Sequence, residues 1–414
     1  MEVVPRKRRP YSTLEKLEMK KTLVAAAALA SVSAFAQVTI TGNLDFAGAN
    51  LSGSQGGAKG TTISTTVGVS STSVINLDAI EDIGGGSKVQ VHYGLDPRGL
   101  ANDALVVTPN NTLAVGSVGT AVQGKVTTTG LSRDELYIAF DSASAGKLML
   151  GAPNSLGLDT HGISSPLGTG IGSAYAPQSG TFTNSMVTTR FDRSVRFNSA
   201  VMGGFSVQAN YAPGMDNANI TSAASTTGAT LGTINTALQA PNNRKATEVG
   251  LSYANGPLNV RFTNIALAAQ TNPTGWYAVA ADGTVTAANL VATKSNFLAA
   301  NYNMGASTFY YGYASGDLQS STTSATKGLL TRYAYKYDAG VFAVTAQRTT
   351  LRETSSAGAI TDRNVTGLRG DYPLSKTAKV YAGYEYWNTG KTALTTDTTT
   401  GDRKLTSIGL QKSF

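Results

Sequence analysis

Asp159 and His161 stand two residues apart in the glycine-rich stretch PNSLGLDTHGISSPLGTGIG, residues 153–172. An Asp-x-His pair can be half of a metal site or an acid–base couple. The chain holds only one other His, His92, and no Cys, so neither a multi-His nor a thiolate metal centre has ligands to draw on. GTGIGS (168–173) lacks the G-x-G-x-x-G spacing and the flanking βαβ unit of a dinucleotide site. The expectation is therefore no catalytic residue, no metal and no cofactor.

The other charged residues follow a different pattern. Arg190, Asp192, Ser194 and Arg196 alternate along one stretch, with Val195 and Phe197 on the opposite parity. Arg332 and Lys336 flank Ala334, and Tyr333, Tyr335 and Tyr337 occupy the positions between. Lys88, Gln90 and His92 share a parity, and Asp78, Asp134 and Lys379 join the same set. In a β-strand, alternate side chains face opposite sides. One side is thus apolar and the other carries charge, so the charged side must meet water. Charges around a water-filled path sort solutes by sign and size. Arg193 falls on the apolar parity, where a charge at bilayer mid-depth costs about 2–4 kcal/mol, and so is expected at a rim or in a subunit contact.

The elements that would position these residues repeat with period two. No stretch after Gln37 approaches a transmembrane helix, and sustained helical periodicity is missing. Sixteen strands can be read, from VTITGNLDFAGA (38–49) and a second at about 66–82 to the final RKLTSIGLQKSF. Seven of the connections are tight turns, such as IGGG (83–86), NGP and PLSKT. The other eight are longer: about 50–65, 98–131, 153–188, 214–243, 271–291, 318–327, 354–361 and 389–402. Strict alternation of short and long connections is the layout of an all-β, 16-stranded antiparallel transmembrane β-barrel, with short periplasmic turns and long extracellular loops. Such a barrel must close, because an open edge in hydrocarbon leaves unpaired backbone groups costing several kcal/mol each. The last strand, with Ile408, Leu410 and the final Phe414, is expected to seal against the first.

Composition agrees. Charged residues make up 14% of the chain, against about 25% in ordinary soluble domains, while the hydrophobic share is 41%. Half of the formal charge of +8 comes from the N-terminus. Residues 1–36 hold seven Lys/Arg and three Asp/Glu; removing them from totals of 33 and 25 leaves 26 and 22, a net of +4. So small an excess does not suggest a nucleic-acid partner. Within MKKTLVAAAALASVSAFAQ (19–37), Lys20 and Lys21 precede a short apolar run and an Ala-x-Ala site, the form of a secretory signal cut between Ala36 and Gln37. Residues 1–18 then read as a mis-called extension, 19–36 as the signal peptide and 37–414 as the barrel.

Several stretches carry a family resemblance. EDIGGGSKVQVHY (81–93), SVRFNSAVMGGFSVQANY (194–211), LSYANGPLNV (251–260) and YPLSKTAKVYAGYEY (372–386) resemble, in order, hairpins of the general porins of Gram-negative bacteria, most closely the β-proteobacterial branch. The resemblance runs from about residue 37 to 414. It implies an outer-membrane porin of a Gram-negative bacterium for passive diffusion of small hydrophilic solutes and ions, usually a homotrimer set in lipid and lipopolysaccharide. It also implies a third loop folded into the lumen, and a terminal aromatic, Phe414 with Leu410 and Ile408, read by the outer-membrane insertion machinery. Arg196 stands where the family places a wall arginine. Val74, Asp134 and Ala152 occupy positions where the family usually has Arg, and the P-E-F-G-G signature is missing from the third loop. Asp159 is that loop's one carboxylate, so the usual anion bias does not transfer. A substrate-selective channel and a surface adhesin or receptor barrel are the competing readings. An outer-membrane enzyme ranks below both.

Overall fold

The computed structural model describes residues 37–55, 58–67, 69–70, 73–97, 132–171, 173, 190–213, 245–268, 276–279, 285–288, 292–319, 325–389 and 401–414. The expected signal segment with Ala36, and most of the long connections at 98–131, 174–189 and 214–244, lie outside the described residues, the first of which is Gln37.

Alternating sequence becomes strand throughout. In chain order these are β1 (Gln37–Gln55), β2 (Ala58–Val67), β3 (Val74–Gly84), β4 (Ser87–Asp96), β5 (Ser132–Ser142), β6 (Gly146–Ala152), β7 (Ser194–Ser199), β8 (Phe205–Ala212), β9 (Ala246–Asn255) and β10 (Leu258–Leu267). A separate two-stranded hairpin, β11 (Trp276–Val279) and β12 (Val285–Ala288), follows. The chain then returns to the wall with β13 (Ala292–Met304), β14 (Ser307–Gln319), β15 (Ala325–Asp338), β16 (Ala343–Ser355), β17 (Ile360–Pro373), β18 (Ala378–Thr389) and β19 (Gly401–Ser413). One helix, α1 (Leu156–Ser164), interrupts the pattern after β6.

Every wall strand pairs antiparallel with its neighbours, and β19 pairs with β1 from Asn43↔Ser413 to Gly53↔Arg403. Beyond the ladder, Gly42 and Phe414 exchange two backbone hydrogen bonds, of 2.9 and 3.1 Å. First and last strands thus seal the wall, as hydrocarbon demands. On its other side β1 pairs with two segments: β3 along Gln37–Asn43 and β2 along Phe46–Gln55. These two are halves of one wall strand, so the barrel has sixteen strand positions. The ladder between β1 and β2 overturns the expected loop at 50–65. Its Gly, Ser and Thr content resembles a loop, but ladder bonds are made by backbone and do not need large side chains.

The burial pattern is inverted relative to a water-soluble protein. On β15, Arg332 is fully buried while Tyr333 is 60% exposed. On β8, Gln208 and Asn210 are buried, while Phe205, Val207 and Tyr211 are exposed. Exposed apolar residues on one continuous outer face imply a hydrocarbon surrounding. Among the described residues no helix is long and apolar enough to cross a membrane; the strands do the crossing.

Arg348 breaks this outer pattern. It is exposed, lies in register with Tyr333 and Thr366, and lines an outer-surface groove of about 670 Å³ with Tyr311, Tyr335 and Ala346. Its side chain makes no hydrogen bond or ion pair among the described residues.

Arg193, expected on the outward parity at a rim or in a subunit contact, lies exposed at the very end of a wall strand. β7 begins only at Ser194, and Arg193 sits before it in a turn with φ 55°. That left-handed backbone breaks the strand alternation.

Candidate functional site

The inward face is built around α1. Ser155 caps the helix by accepting a hydrogen bond from Leu158 N at 2.9 Å, the usual role of serine at this position. The helix packs against β8, β9, β10, β13, β14 and β15. A nine-residue helix is about 13.5 Å long. It can touch six strands of a closed barrel only from the concave side, so the segment after β6 is folded into the lumen.

Three wall strands, β7, β9 and β10, grip the first half of the helix and its leading flank by polar contacts. Glu248 of β9 is 1% exposed and accepts hydrogen bonds from Leu156 N (2.8 Å) and Gly157 N (2.9 Å), with Asn210 Nδ2 as a third donor at 2.9 Å. A carboxylate at a helix N-terminus meets both unsatisfied N–H groups and the positive end of the dipole. Asp159 pairs with Arg196 of β7 and with Arg261 of β10, the latter at 3.3 Å. Arg196 also donates to Asn154 O at 2.6 Å. Thr263 meets Thr160 hydroxyl to hydroxyl at 2.7 Å. The helix also needs flat wall beneath it. At Gly312 a Cβ would lie 2.8 Å from Ser164 Oγ, and at Gly383 one would lie 2.7 Å from Ile171 Cγ2.

His161 is buried at the far end of the helix. Its Nε2–H donates to Gly168 O at 2.9 Å, and its Nδ1 accepts from Arg332 Nη1 at 3.0 Å. Arg332 also donates to Ser164 Oγ (2.8 Å) and Thr349 Oγ1 (3.2 Å). Burial, then the adjacent Arg332 charge, hold the His161 pKa well below its ordinary 6.5. The docked loop thus keeps His161 neutral, whereas an undocked loop would titrate it normally. Above pH ~6.5 neither state binds the proton and docking is at full strength. Below it the undocked state gains protons and docking weakens, by about 1.4 kcal/mol one pH unit lower. Single-channel records should therefore grow noisier as pH falls from 7 to 5, and His161→Gln should flatten that dependence. A wild-type trace unchanged over this range would refute the coupling.

A second inward contact meets the end of the loop. Val69 O accepts from Ile171 N at 2.7 Å. Ser70 O accepts from Arg369 Nη1 at 2.9 Å, and the Ser70 hydroxyl donates to Gln411 at 3.1 Å. Ser70 N also donates to the buried Asp45, which accepts from the Tyr381 hydroxyl at 2.7 Å. Ser165 and the carbonyl of Ser173 both bind Gln347 of β16.

A separate polar cluster lines β3–β6. Asp78 Oδ1 accepts from Gln90 Nε2 and His92 Nδ1, each at 2.8 Å. Lys147 donates to Gln90 Oε1 at 2.6 Å and lies 5.2 Å from the centre of the Tyr137 ring, which stacks on His92 at 5.0 Å.

The structure thus joins Arg196 with Asp159, and Asp78 with His92. Asp134 pairs with Arg190. Simple alternation from exposed Leu136 and Ile138 would send Asp134 outward, but a register shift between Tyr93 and Leu95 resets the parity there. Arg332 meets His161, while Lys336 pairs with Asp338 at 3.0 Å and Lys379 with Asp371 at 3.0 Å. Lys88 is exposed beside the turn, in register with Asp82 and Asp141. Asp192 lies in the turn before β7 and not on the strand. Ile408 and Leu410 are exposed on the outer face, and Phe414 is half exposed at the seam. Glu248, Arg261 and Arg369 were not singled out from sequence. Each sits on a polar parity, but its partner lies 91, 102 or 299 positions away along the chain.

No curated protein matches the chain by sequence. Solved structures do match in fold. An anion-selective porin from Comamonas acidovorans has a TM-score of 0.61 at 15% identity, covering 92% of this chain and 100% of that one. A loop-deletion mutant of OmpT, an outer-membrane protein of Vibrio cholerae, has a TM-score of 0.61 at 15% identity, covering 91% and 99%. OmpF of Salmonella typhi in complex with daunomycin has a TM-score of 0.57 at 12% identity, covering 92% and 98%. A family model described as Gram-negative porin spans residues 22–392. With a closed sixteen-strand wall, an apolar outer face and a polar lumen holding an inward-folded helix, this chain belongs to the Gram-negative porins, outer-membrane channels for passive diffusion.

Proposed function

We propose that the channel is an open, water-filled passage for small hydrophilic solutes and ions, narrowed by α1 and not plugged by it. The carrying observation is the placement of the helix: its main packing is against β8–β10 and β13–β15, on the far side from the β3–β6 arc. Gly162 of the helix is exposed, and a Cβ built there meets nothing within 4 Å. The pore-lining set is then Asp78, Lys88 and His92 on the uncovered arc, with Asp159, Arg196 and Arg332 fixing the narrow part. Arg190, Asp192, Asp134 and Lys336 border the passage above and below it.

The channel is not an enzyme. Asp159 is engaged by two arginines, and both ring nitrogens of His161 are bound, which leaves neither placed for acid–base work. A homotrimer in lipid and lipopolysaccharide, a signal peptide removed after Ala36, and recognition of Phe414, Leu410 and Ile408 by the insertion machinery complete the reading. The outer-face exposure of Ile408 and Leu410 supports the last of these.

Single-channel recording of the refolded mature chain in a planar bilayer tests the proposal. Triplet steps of large, ohmic conductance are expected. A folded barrel without current would mean a closed lumen and overturn the reading.

A further inference from the structure

Four inward arginines, Arg196, Arg261, Arg332 and Arg369, stand with the loop or with nearby acids. Arg196 and Arg261 face Asp159 and Glu248 at the root of the helix, so two positive charges meet two negative ones. Arg332 is fully buried against His161 and Ser164. Arg369, 2% exposed, is paired with Asp371. These side chains hold the loop in place and present little charge to a passing solute.

The uncovered arc has the opposite balance. Asp78, Asp82 and Asp141 share two ammonium groups, Lys88 and Lys147; Glu135 accepts from Asn154 N at 2.7 Å, and Asp134 is matched by Arg190. Asp78 is at the centre of this face. Its Oδ1 takes both hydrogen bonds, from Gln90 and His92, and its side chain is 18% exposed. Lys147 is drawn back onto Gln90 and the Tyr137 ring.

We infer that the β3–β6 arc, centred on Asp78, sets the ion preference of this porin and that the preference is for small cations. The inference rests on the open-channel reading and gives it a substrate class. Asp78 acts as a fixed negative charge beside the path, and Lys147 acts as a partial counterweight whose removal strengthens it.

Reversal potentials under a potassium chloride gradient test this on the full mature chain. The wild-type channel should be cation-preferring. A unit charge about 7 Å from the ion path in water changes local ion occupancy about threefold. Asp78→Asn, which keeps one oxygen acceptor for Gln90 and His92, should lower the cation-to-anion permeability ratio by about sevenfold, because cations lose and anions gain that factor. Lys147→Gln should raise it by a similar factor, a change of opposite sign that misfolding would not mimic. Anion preference in a conducting wild-type channel, or a ratio that neither variant moves, overturns this inference alone. A folded barrel with no current fails the open-channel reading and this inference with it.

Discussion

Glu248→Ala leaves a closed barrel with a loose constriction. The substitution removes the acceptor for two amide groups of α1 and for Asn210, in a site that is 1% exposed. Hydrogen bonds to a charged group are worth about 1.5–3 kcal/mol each, and breaking a buried charged contact costs about 3–5 kcal/mol. A loss of about 3–5 kcal/mol of docking free energy is expected. The wall ladders do not involve this side chain, so heat and denaturant resistance of the barrel should change little. The current should become larger and unsteady, and protease should cut within residues 153–173. Glu248→Gln keeps one acceptor oxygen and should fall between the two. Steady wild-type conductance and intact protease resistance in Glu248→Ala would show that the helix does not depend on this anchor.

The second large effect has the opposite sign. Arg348 stands five residues above the start of β16. At about 3.3 Å per residue and a tilt of about 40°, that is ~13 Å, the middle of an apolar band ~25 Å tall. An outward Arg at that depth costs about 2–4 kcal/mol. Arg348→Leu should therefore stabilise the single barrel by about that amount, read from urea unfolding in lipid vesicles. A loss of stability would instead show that something polar covers Arg348 in the assembled protein.

The fold was more legible in the sequence than the site. Alternation alone separated Tyr333, Tyr335 and Tyr337 from Arg332, and short turns such as IGGG mark the hairpins, because both signals are local. Where a local signal was weak, the reading failed. The glycine- and threonine-rich residues 50–65 form a ladder by backbone bonds that no side-chain pattern announces. At Asp134, read from the sequence with the inward charges, it is a bulge that lets the side chain meet Arg190, and at Arg193 a left-handed turn ends the alternation at the start of β7. The site depends on contacts across the lumen. Asp159 was singled out as the loop's one carboxylate and Arg196 as a wall arginine. Nothing in a single sequence says that Glu248 receives the start of the helix, or that Ser70 receives Arg369 from 299 positions away.

Those separations also order assembly in time. The loop after β6 emerges early, yet its resting places are Glu248 on β9, Arg332 on β15, Gln347 on β16 and Gly383 on β18. Ser70 likewise waits for Gln411 on the final strand. Contacts this distant form only after the intervening chain has been placed. Full seating of the loop must therefore wait for β15, β16 and β18, although its root can already bind β7, β9 and β10. In between, the growing wall carries a loop that is tethered at one end and unseated at the other, and the width of the passage is fixed only when that second end finds its place.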